Sequence, residues 1–193
     1  MWARRVAYGV LCGRRAAVVS DERRTLVLLR HAKSDYPDGV ADHDRPLAPR
    51  GDREAGLAGD WLRSGDAVDP AVQAVLCSSA TRTRQTLART GIDAPVHYAD
   101  RLYGATPGAV IREINSADTT FGFEVRTLLV VGHEPAMSQL ALGLAGADGS
   151  NITAAEHISM KYPTSAMAVL RINGPWESVE PGSAALLTFY VPR

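Results

Sequence analysis

The sequence predicts an α/β fold whose central sheet is mostly parallel. Three short apolar runs lack polar alternation, a pattern that is typical of strands buried on both faces. These runs are residues 25–29, 74–76 and 127–131. Each run is followed by a stretch with helical signals, and strands that alternate with helices favour parallel pairing.

The remaining elements follow from boundary signals along the chain. Pro49 and Pro107 suit the first turn of a helix, and Gly91 suits the residue just after a helix. The predicted helices cover residues 49–63, 80–89, 107–115 and 135–144. Further strands are predicted at residues 96–98, 164–172 and 184–191. The last two are expected to form a hairpin near the sheet edge, joined around Asn173 and Gly174.

One domain is predicted from residue 25 to residue 193. Of the 193 residues, 46% are hydrophobic and 22% are charged, which provides enough apolar sequence for a sizeable core. Residues 1–24 carry a short apolar patch between pairs of arginines, interrupted by Gly9 and Gly13. We interpret this segment as a poorly ordered extension rather than a targeting signal.

Charge and composition argue against several classes of function. The formal net charge is +0, so no global basic field attracts nucleic acid or an anionic membrane. No segment approaches the ~20 apolar residues of a membrane span. Cys12 and Cys77 form neither a CxxC motif nor a disulfide framework, which favours a cytoplasmic location.

Cationic and imidazole side chains stand at the ends of the three predicted buried strands. Arg30 and His31 follow the first strand. Arg82 lies on the helix after the second strand, and His133 follows the third. Ligands of open α/β sheets bind beyond the carboxyl ends of the strands. Parallel strands would therefore bring these four side chains together in one crevice.

Four short motifs surround these side chains. They are LRHAKS at residues 29–34, DRPLAPRG at 44–51, SSATRTRQT at 78–86 and VGHEP at 131–135. In this order they resemble the histidine phosphatase superfamily, and within it the small SixA-type phosphohistidine phosphatases. The resemblance implies a three-layer α/β/α sandwich. Ala32 stands where many members have glycine, which is typical of the SixA-like subgroup and disfavours a phosphoglycerate mutase.

The resemblance implies a phosphatase that forms a covalent phosphohistidine on His31. A neutral histidine can attack phosphorus through one ring nitrogen if the other nitrogen donates to a backbone carbonyl. Arg30 and Arg82 offer planar forks that match phosphate oxygens, and a protonated His133 would add a third donor. Arg84 lies two residues beyond Arg82 on the same predicted helix, so we expect it to be a solvated surface charge.

Two predicted roles remain open between alternatives. Glu134 occupies the position of the proton donor in related acid phosphatases, and it also suits the start of a helix as a carboxylate. Arg45 is either a further phosphate ligand or a loop arginine that pairs with Asp42 or Asp44. The motif serines that are assigned to substrate binding are Ser34 and Ser78.

The favoured function is a metal-independent phosphatase with an open pocket that acts on phosphohistidine in a protein. The alternatives are a nucleotide or sugar phosphatase of the same superfamily and a phospho-ligand binding module without turnover. The expected partner is thus a phosphorylated protein or a small phosphorylated metabolite, and no cofactor is expected. No histidine pair has a metal-ligand spacing such as HExxH, and His43, His97 and His157 are interpreted as surface or structural residues.

Overall fold

The computed structural model describes residues 23–65, 68–146 and 148–193. Its strands are β1 (Arg23–Arg30), β2 (Ala74–Ser78), β3 (Val96–Ala99), β4 (Thr127–Gly132), β5 (Met167–Asn173) and β6 (Ala184–Tyr190). They form a six-stranded sheet in the order β3-β2-β4-β1-β5-β6. The first four strands pair in parallel, whereas β5 and β6 run antiparallel to their neighbours. The predicted mostly parallel central sheet is confirmed.

Four of the six helices in the described ranges begin and end close to the predicted residues. They are α1 (Pro49–Arg63), α2 (Thr81–Thr90), α3 (Pro107–Asn115), α4 (Ala117–Phe121), α5 (Ala136–Leu144) and α6 (Ile152–Met160). Gly91 ends α2 with a φ of 64°, a left-handed conformation that glycine adopts without steric cost. Within the described ranges, no helix combines the length and the apolar character needed to cross a membrane.

The sheet separates two layers of helices. Leu26 and Leu28 of β1 pack in a core cluster with residues of α3, α4, α5 and α6. Val27 and Leu29 pack in a second cluster with residues of α1 and α2. Successive side chains of a strand point to opposite faces of the sheet, so β1 supplies both cores. The three-layer α/β/α sandwich implied by the resemblance is confirmed.

The sequence prediction missed two helices, α4 and α6, of which α6 is the longer. The side chain of Asn151 accepts from the main-chain N–H of Ala154 at 3.0 Å and caps the start of this helix. Only Ala154 and Ile158 of α6 are buried. Two buried positions, one of them an alanine, give a hydrophobic period too weak to separate this helix from a polar loop.

The connection between β5 and β6 is longer than the predicted tight turn. The two strands pair as expected, but a 3₁₀-helix at Trp176–Ser178 lies between them. Trp176 is fully buried, and its Nε1–H donates to the carbonyl of Val125 at 2.8 Å. Burial of this large ring holds the connection against the core, and a two-residue turn could not place it there.

The start of β1 differs from the predicted domain boundary. The strand begins at Arg23, and the side chain of Arg24 is 7% exposed and forms a 2.7 Å ion pair with Asp118. These two residues therefore belong to the sheet rather than to an extension. The rest of the predicted extension lies outside the described residues.

Candidate active site

The carboxyl ends of β1 and β4 meet at one edge of the sheet. The strand register places Arg30 beside Gly132. The main-chain N–H of His31 donates to the carbonyl of Gly132 at 3.0 Å, which extends the pairing by one residue. His31 and His133 follow the two strands directly, and their ring centroids lie 5.0 Å apart. The structure thus brings both predicted histidines together.

The ring of His31 is held in one tautomer. Its Nδ1 lies 2.8 Å from the carbonyl oxygen of Ala32. Because a carbonyl oxygen only accepts, Nδ1 carries the proton and donates it, which leaves a lone pair on Nε2. Burial is the largest cause of the lowered pKa of His31, which falls to about 4. Three positive charges add to this lowering, those of Arg82, Arg30 and Arg45.

His133 is more deeply buried than His31 and is neutral in the free protein. It is 7% exposed, and its Nδ1 has no hydrogen-bond partner among the described residues. Burial lowers the pKa of His133, and repulsion from a protonated His31 and from Arg82 lowers it further, to about 3. The donor role that the sequence raised for a protonated His133 therefore requires this ring to take up a proton, because a buried imidazolium is poorly solvated.

Ser78 lies behind His133 rather than on the surface of the crevice. It is the last residue of β2 and is 0% exposed. Its Oγ lies 2.9 Å from Nε2 of His133. Ser78 therefore contacts His133 from a buried position, and its role in substrate binding stays a prediction.

Main-chain carbonyls orient the two predicted phosphate-binding arginines. Nη1 of Arg30 donates to the carbonyl of Tyr162, and Nη1 of Arg82 donates to the carbonyl of Asp42. Arg82 is only 6% exposed although it carries a charge. Both guanidinium groups lie close enough to His31 to lower its pKa. The positive charge at this site comes from arginine, and within the described ranges no group of three or more His, Cys, Asp or Glu could hold a metal ion.

Asp42 connects three side chains across the mouth of the crevice. Its Oδ2 accepts from the hydroxyl of Tyr103 at 2.7 Å and from Nη2 of Arg82 at 3.0 Å. Its Oδ1 accepts from Nη1 of Arg45 at 2.7 Å. The hydrogen bond from Tyr103, followed by that from Arg45, holds the pKa of Asp42 well below its usual range. The ring of Tyr103 also packs edge-on against His133, with centroids 5.5 Å apart.

Arg45 is held inside the loop that follows β1. Its Nε donates to the carbonyl of Asp35 at 2.9 Å, and its Nη2 donates to the hydroxyl of Ser34 at 2.6 Å. Its guanidinium carbon lies 3.3 Å from the ring centroid of Tyr36. The pairing of Arg45 with Asp42 corresponds to the second alternative raised by the sequence. Contacts of Arg45 and Ser34 with substrate stay predictions.

Comparison with known proteins assigns the family. A family model described as histidine phosphatase superfamily (branch 1) matches residues 26–110. A Mycobacterium tuberculosis (strain H37Rv) protein, described as uncharacterized, is 66% identical over 165 residues, which cover 86% of this chain and 100% of that protein. A solved structure from Nakamurella multipartitia that bears the name SixA is 39% identical, with a TM-score of 0.77, and the match covers 88% of this chain and 96% of that one. The chain belongs to the histidine phosphatase superfamily.

A second SixA structure agrees with this assignment. It comes from Agrobacterium tumefaciens, is 27% identical, has a TM-score of 0.68, and matches over 88% of this chain and 99% of that one. The chain is thus a SixA-type histidine phosphatase and, by class of enzyme, a hydrolase.

Glu134 of this histidine phosphatase accepts hydrogen bonds from the first turn of α5, the helix that follows it. Its Oε1 accepts from the main-chain N–H of Ser138 at 3.0 Å, and its Oε2 accepts from the Ser138 hydroxyl at 2.6 Å. These bonds match the helix-start alternative, because a carboxylate at a helix N-terminus satisfies free N–H groups and complements the helix dipole. The proton-donor role of Glu134 stays a prediction.

Sequence reasoning missed two residues of this site. Tyr103 follows β3 and a short 3₁₀-helix, so the rule about strand ends, applied to this short strand as well, would have found it. The second is Asp42, because the sequence offers it only as a possible partner of Arg45, whereas it also bonds to Arg82 and Tyr103. His43 is partly exposed, its Nε2 lies 3.1 Å from the Ser79 hydroxyl, and its ring packs edge-on against Tyr103 at 5.0 Å, which is consistent with a surface or structural residue.

Proposed function

We propose that this phosphatase removes the phosphoryl group from phosphohistidine in a protein, without a metal ion or cofactor, through a covalent phosphohistidine on His31. The observation that carries the proposal is the state of the His31 ring. Its Nδ1–H donates to the Ala32 carbonyl at 2.8 Å, and burial keeps the ring neutral. Such a ring offers the Nε2 lone pair to phosphorus at neutral pH. We place the reaction in the cytoplasm.

The reaction follows from this geometry in two displacements. First, Nε2 of His31 forms a bond to phosphorus while the bond between phosphorus and the nitrogen of the substrate imidazole breaks. The leaving imidazole takes up a proton from solvent. Water then attacks phosphorus and releases a proton to solvent, the bond to His31 breaks, and inorganic phosphate leaves. The hydrogen bond from Nδ1 to Ala32 stabilises the positive charge that develops on the ring of His31 in the first displacement.

Arginine neutralises the phosphoryl oxygens in this proposal. Arg30 and Arg82 present fixed guanidinium groups beside His31, which is the electrostatic arrangement that phosphoryl transfer requires. The neutral His133 responds to the substrate: the negative charge of a phosphoryl group raises the pKa of a nearby imidazole. His133 can then take up a proton and donate a hydrogen bond to a phosphoryl oxygen.

The carboxylates of the site favour a labile substrate. Both oxygens of Glu134 accept from Ser138, and both oxygens of Asp42 accept from site residues. Carboxylates held as acceptors are weak proton donors. An N–P bond tolerates a weak acid better than an alkyl phosphate does, which supports phosphohistidine over a sugar phosphate.

The rim of the crevice supports a protein as the substrate. Tyr36 is 67% exposed and packs against the guanidinium group of Arg45, and Tyr103 is 37% exposed and packs against the ring of His133. Exposed aromatic side chains are common at contacts with partner proteins. The SixA structures from Nakamurella multipartitia and Agrobacterium tumefaciens are named for a phosphohistidine phosphatase, which is consistent with this choice.

Turnover of a phosphohistidine-bearing protein, compared with a panel of nucleotide and sugar phosphates in the presence of EDTA, tests the proposal. We expect the largest kcat/KM for the phosphohistidine protein and no loss of activity on chelation. His31→Ala, purified in parallel, is the control for contaminating phosphatases. Faster turnover of the esters would indicate a small-molecule phosphatase. Binding without turnover would indicate a phospho-ligand binding module, and activity restored by a divalent ion would refute metal independence.

A further inference from the structure

The carboxylate of Asp42 already binds the guanidinium groups that are expected to receive phosphate. Nη2 of Arg82 donates to it at 3.0 Å and Nη1 of Arg45 donates to it at 2.7 Å. The hydroxyl of Tyr103 adds a third bond at 2.7 Å. These are the donors that a phosphoryl oxygen would use, because carboxylate and phosphate oxygens fit the same planar fork of arginine.

We propose that Asp42 is the resident anion of the phosphate site and that the phosphoryl group of the substrate displaces its carboxylate from Arg82 and Arg45. This inference rests on the proposed function, which assigns Arg82 to phosphate, and on the sequence prediction that Arg45 is a further phosphate ligand. One guanidinium N–H cannot bond fully to two anions, and two anions on one fork repel each other. Asp42 therefore sets the affinity of the site for phosphate through competition.

The surroundings of Asp42 permit this exchange. Its side chain is 53% exposed, so the displaced carboxylate can move into water. Arg82 keeps its second contact, the bond from Nη1 to the main-chain carbonyl of Asp42, which does not depend on the carboxylate. The arginine thus stays oriented while the anion on Nη2 changes.

A competing carboxylate and a supporting carboxylate predict opposite changes in phosphate affinity when Asp42 is replaced. If the carboxylate only oriented the arginines, its removal would loosen them and weaken phosphate binding. If it competes, its removal makes the arginines available in a larger fraction of molecules and strengthens phosphate binding. Partly exposed ion pairs contribute little, so we expect the dissociation constant to fall by about fivefold.

Calorimetric titration with inorganic phosphate at neutral pH measures this difference without turnover. The test variant is Asp42→Asn, which removes the charge and keeps the size of the side chain. The matched control is Asp44→Asn, which removes an exposed carboxylate from the same 3₁₀-helix. The Oδ1 of Asp44 lies 3.2 Å from Nδ1 of His43. Arg82→Ala shows whether phosphate binds at this site, and thermal melting checks the fold of each variant.

We expect Asp42→Asn to bind phosphate more tightly and Asp44→Asn to bind it like the wild type. In Asp42→Asn, the inhibition constant of phosphate should fall by the same factor as its dissociation constant. Unchanged or weaker binding by Asp42→Asn, with binding still lost in Arg82→Ala, would overturn the competition and leave the proposed function intact. Equal phosphate binding by the wild type and Arg82→Ala would refute the phosphate site itself, and both proposals would fall.

Discussion

The two faces of α2 place identical side chains in opposite environments. Arg82 is 6% exposed, and its guanidinium group is bonded to the carbonyl and the carboxylate of Asp42. Arg84 is exposed and lies over the ring of Tyr98 at 5.3 Å. Residues two apart on an α-helix lie about 200° apart around its axis, so only one can face the crevice. Position on the helix, not residue type, separates the arginine beside the two histidines from the arginine on the surface.

The electrostatic reach of the two arginines differs in the same way. The charge of Arg82 lowers the pKa of His31 and of His133. The charge of Arg84 acts instead on Cys77. Burial raises the pKa of that thiol to about 12, and the charge of Arg84 offsets part of the rise. We therefore expect the buried charge close to the histidines to participate in the chemistry and the exposed charge on the other face to take no part in it.

Among the residues that face the crevice, loss of the proposed nucleophile His31 is expected to lower activity most. We expect His31→Ala to lower kcat by about 10⁴-fold or more, because no other described group offers the same lone pair. Quenching under basic conditions with labelled substrate should trap an acid-labile phosphoprotein in the wild type and none in the variant. Label that persists in His31→Ala, or that appears on serine, would contradict the assignment.

Loss of Arg82 is expected to have the next largest effect. Removal of one preorganised donor to a developing charge costs about 10² to 10³ in rate, so Arg82→Ala should lose that factor in kcat/KM. Arg82→Lys should recover only part of it, because an ammonium group cannot reproduce a planar fork. Steady-state kinetics with the preferred substrate measures both variants. Full recovery by lysine would show that charge alone, without geometry, is needed.

The strand-end part of the site could be predicted from the sequence. Arg30, His31 and His133 follow apolar strands directly, so the topology of a parallel sheet fixes where they lie. The choice of Arg82 over Arg84 followed from the family motif and the helical period. These residues sit on rigid elements, whose positions depend on local pattern and sheet pairing.

The loop part of the site could not be predicted in the same way. Asp42 and Tyr103 are 61 residues apart in the sequence, and their 2.7 Å contact depends on how the loop after β1 folds over the connection after β3. No local pattern in a loop of Asp, Pro and Gly specifies such a partner. The missed helix α6 has the same origin, because its two buried positions become informative only once the core they touch is known.

The histidines also differ in burial, and the buried ones make the stability of the fold depend on pH. His133 has a folded-state pKa of about 3, against an ordinary value of 6.5. Between these values the unfolded chain binds a proton that the folded chain does not, so stability should fall as the pH is lowered from about 6.5 towards about 4. One such proton corresponds to about 1.4 kcal/mol of unfolding free energy per pH unit.

Urea unfolding of wild type and His133→Asn across this pH range measures the effect. In the wild type, both His133 and His31 contribute to the slope of the unfolding free energy with pH. We expect His133→Asn to lose the part of the slope that corresponds to one proton and to keep the part that comes from His31. His157→Asn on α6 removes an exposed ring and controls for the loss of any histidine. An unchanged slope in His133→Asn would show that this ring is not buried in its neutral form.

The smallest expected effect belongs to the exposed face of α2 and tests the comparison most strictly. Arg84→Ala removes a solvated charge and one contact with Tyr98, and an exposed cation–π contact contributes about 0.5 kcal/mol. We therefore expect kcat/KM within about threefold of wild type and a melting temperature lower by about 1 to 2 °C.

Parallel kinetics and thermal melting of Arg84→Ala and Arg82→Ala check this expectation. The two variants remove the same atoms from opposite faces of one turn of the helix, so each controls for the other. If Arg84→Ala were the inactive variant, α2 would be rotated by about half a turn, since the two positions lie about 200° apart. Arg82 would then face away from His31, and its bonds to Asp42 could not form part of a phosphate site.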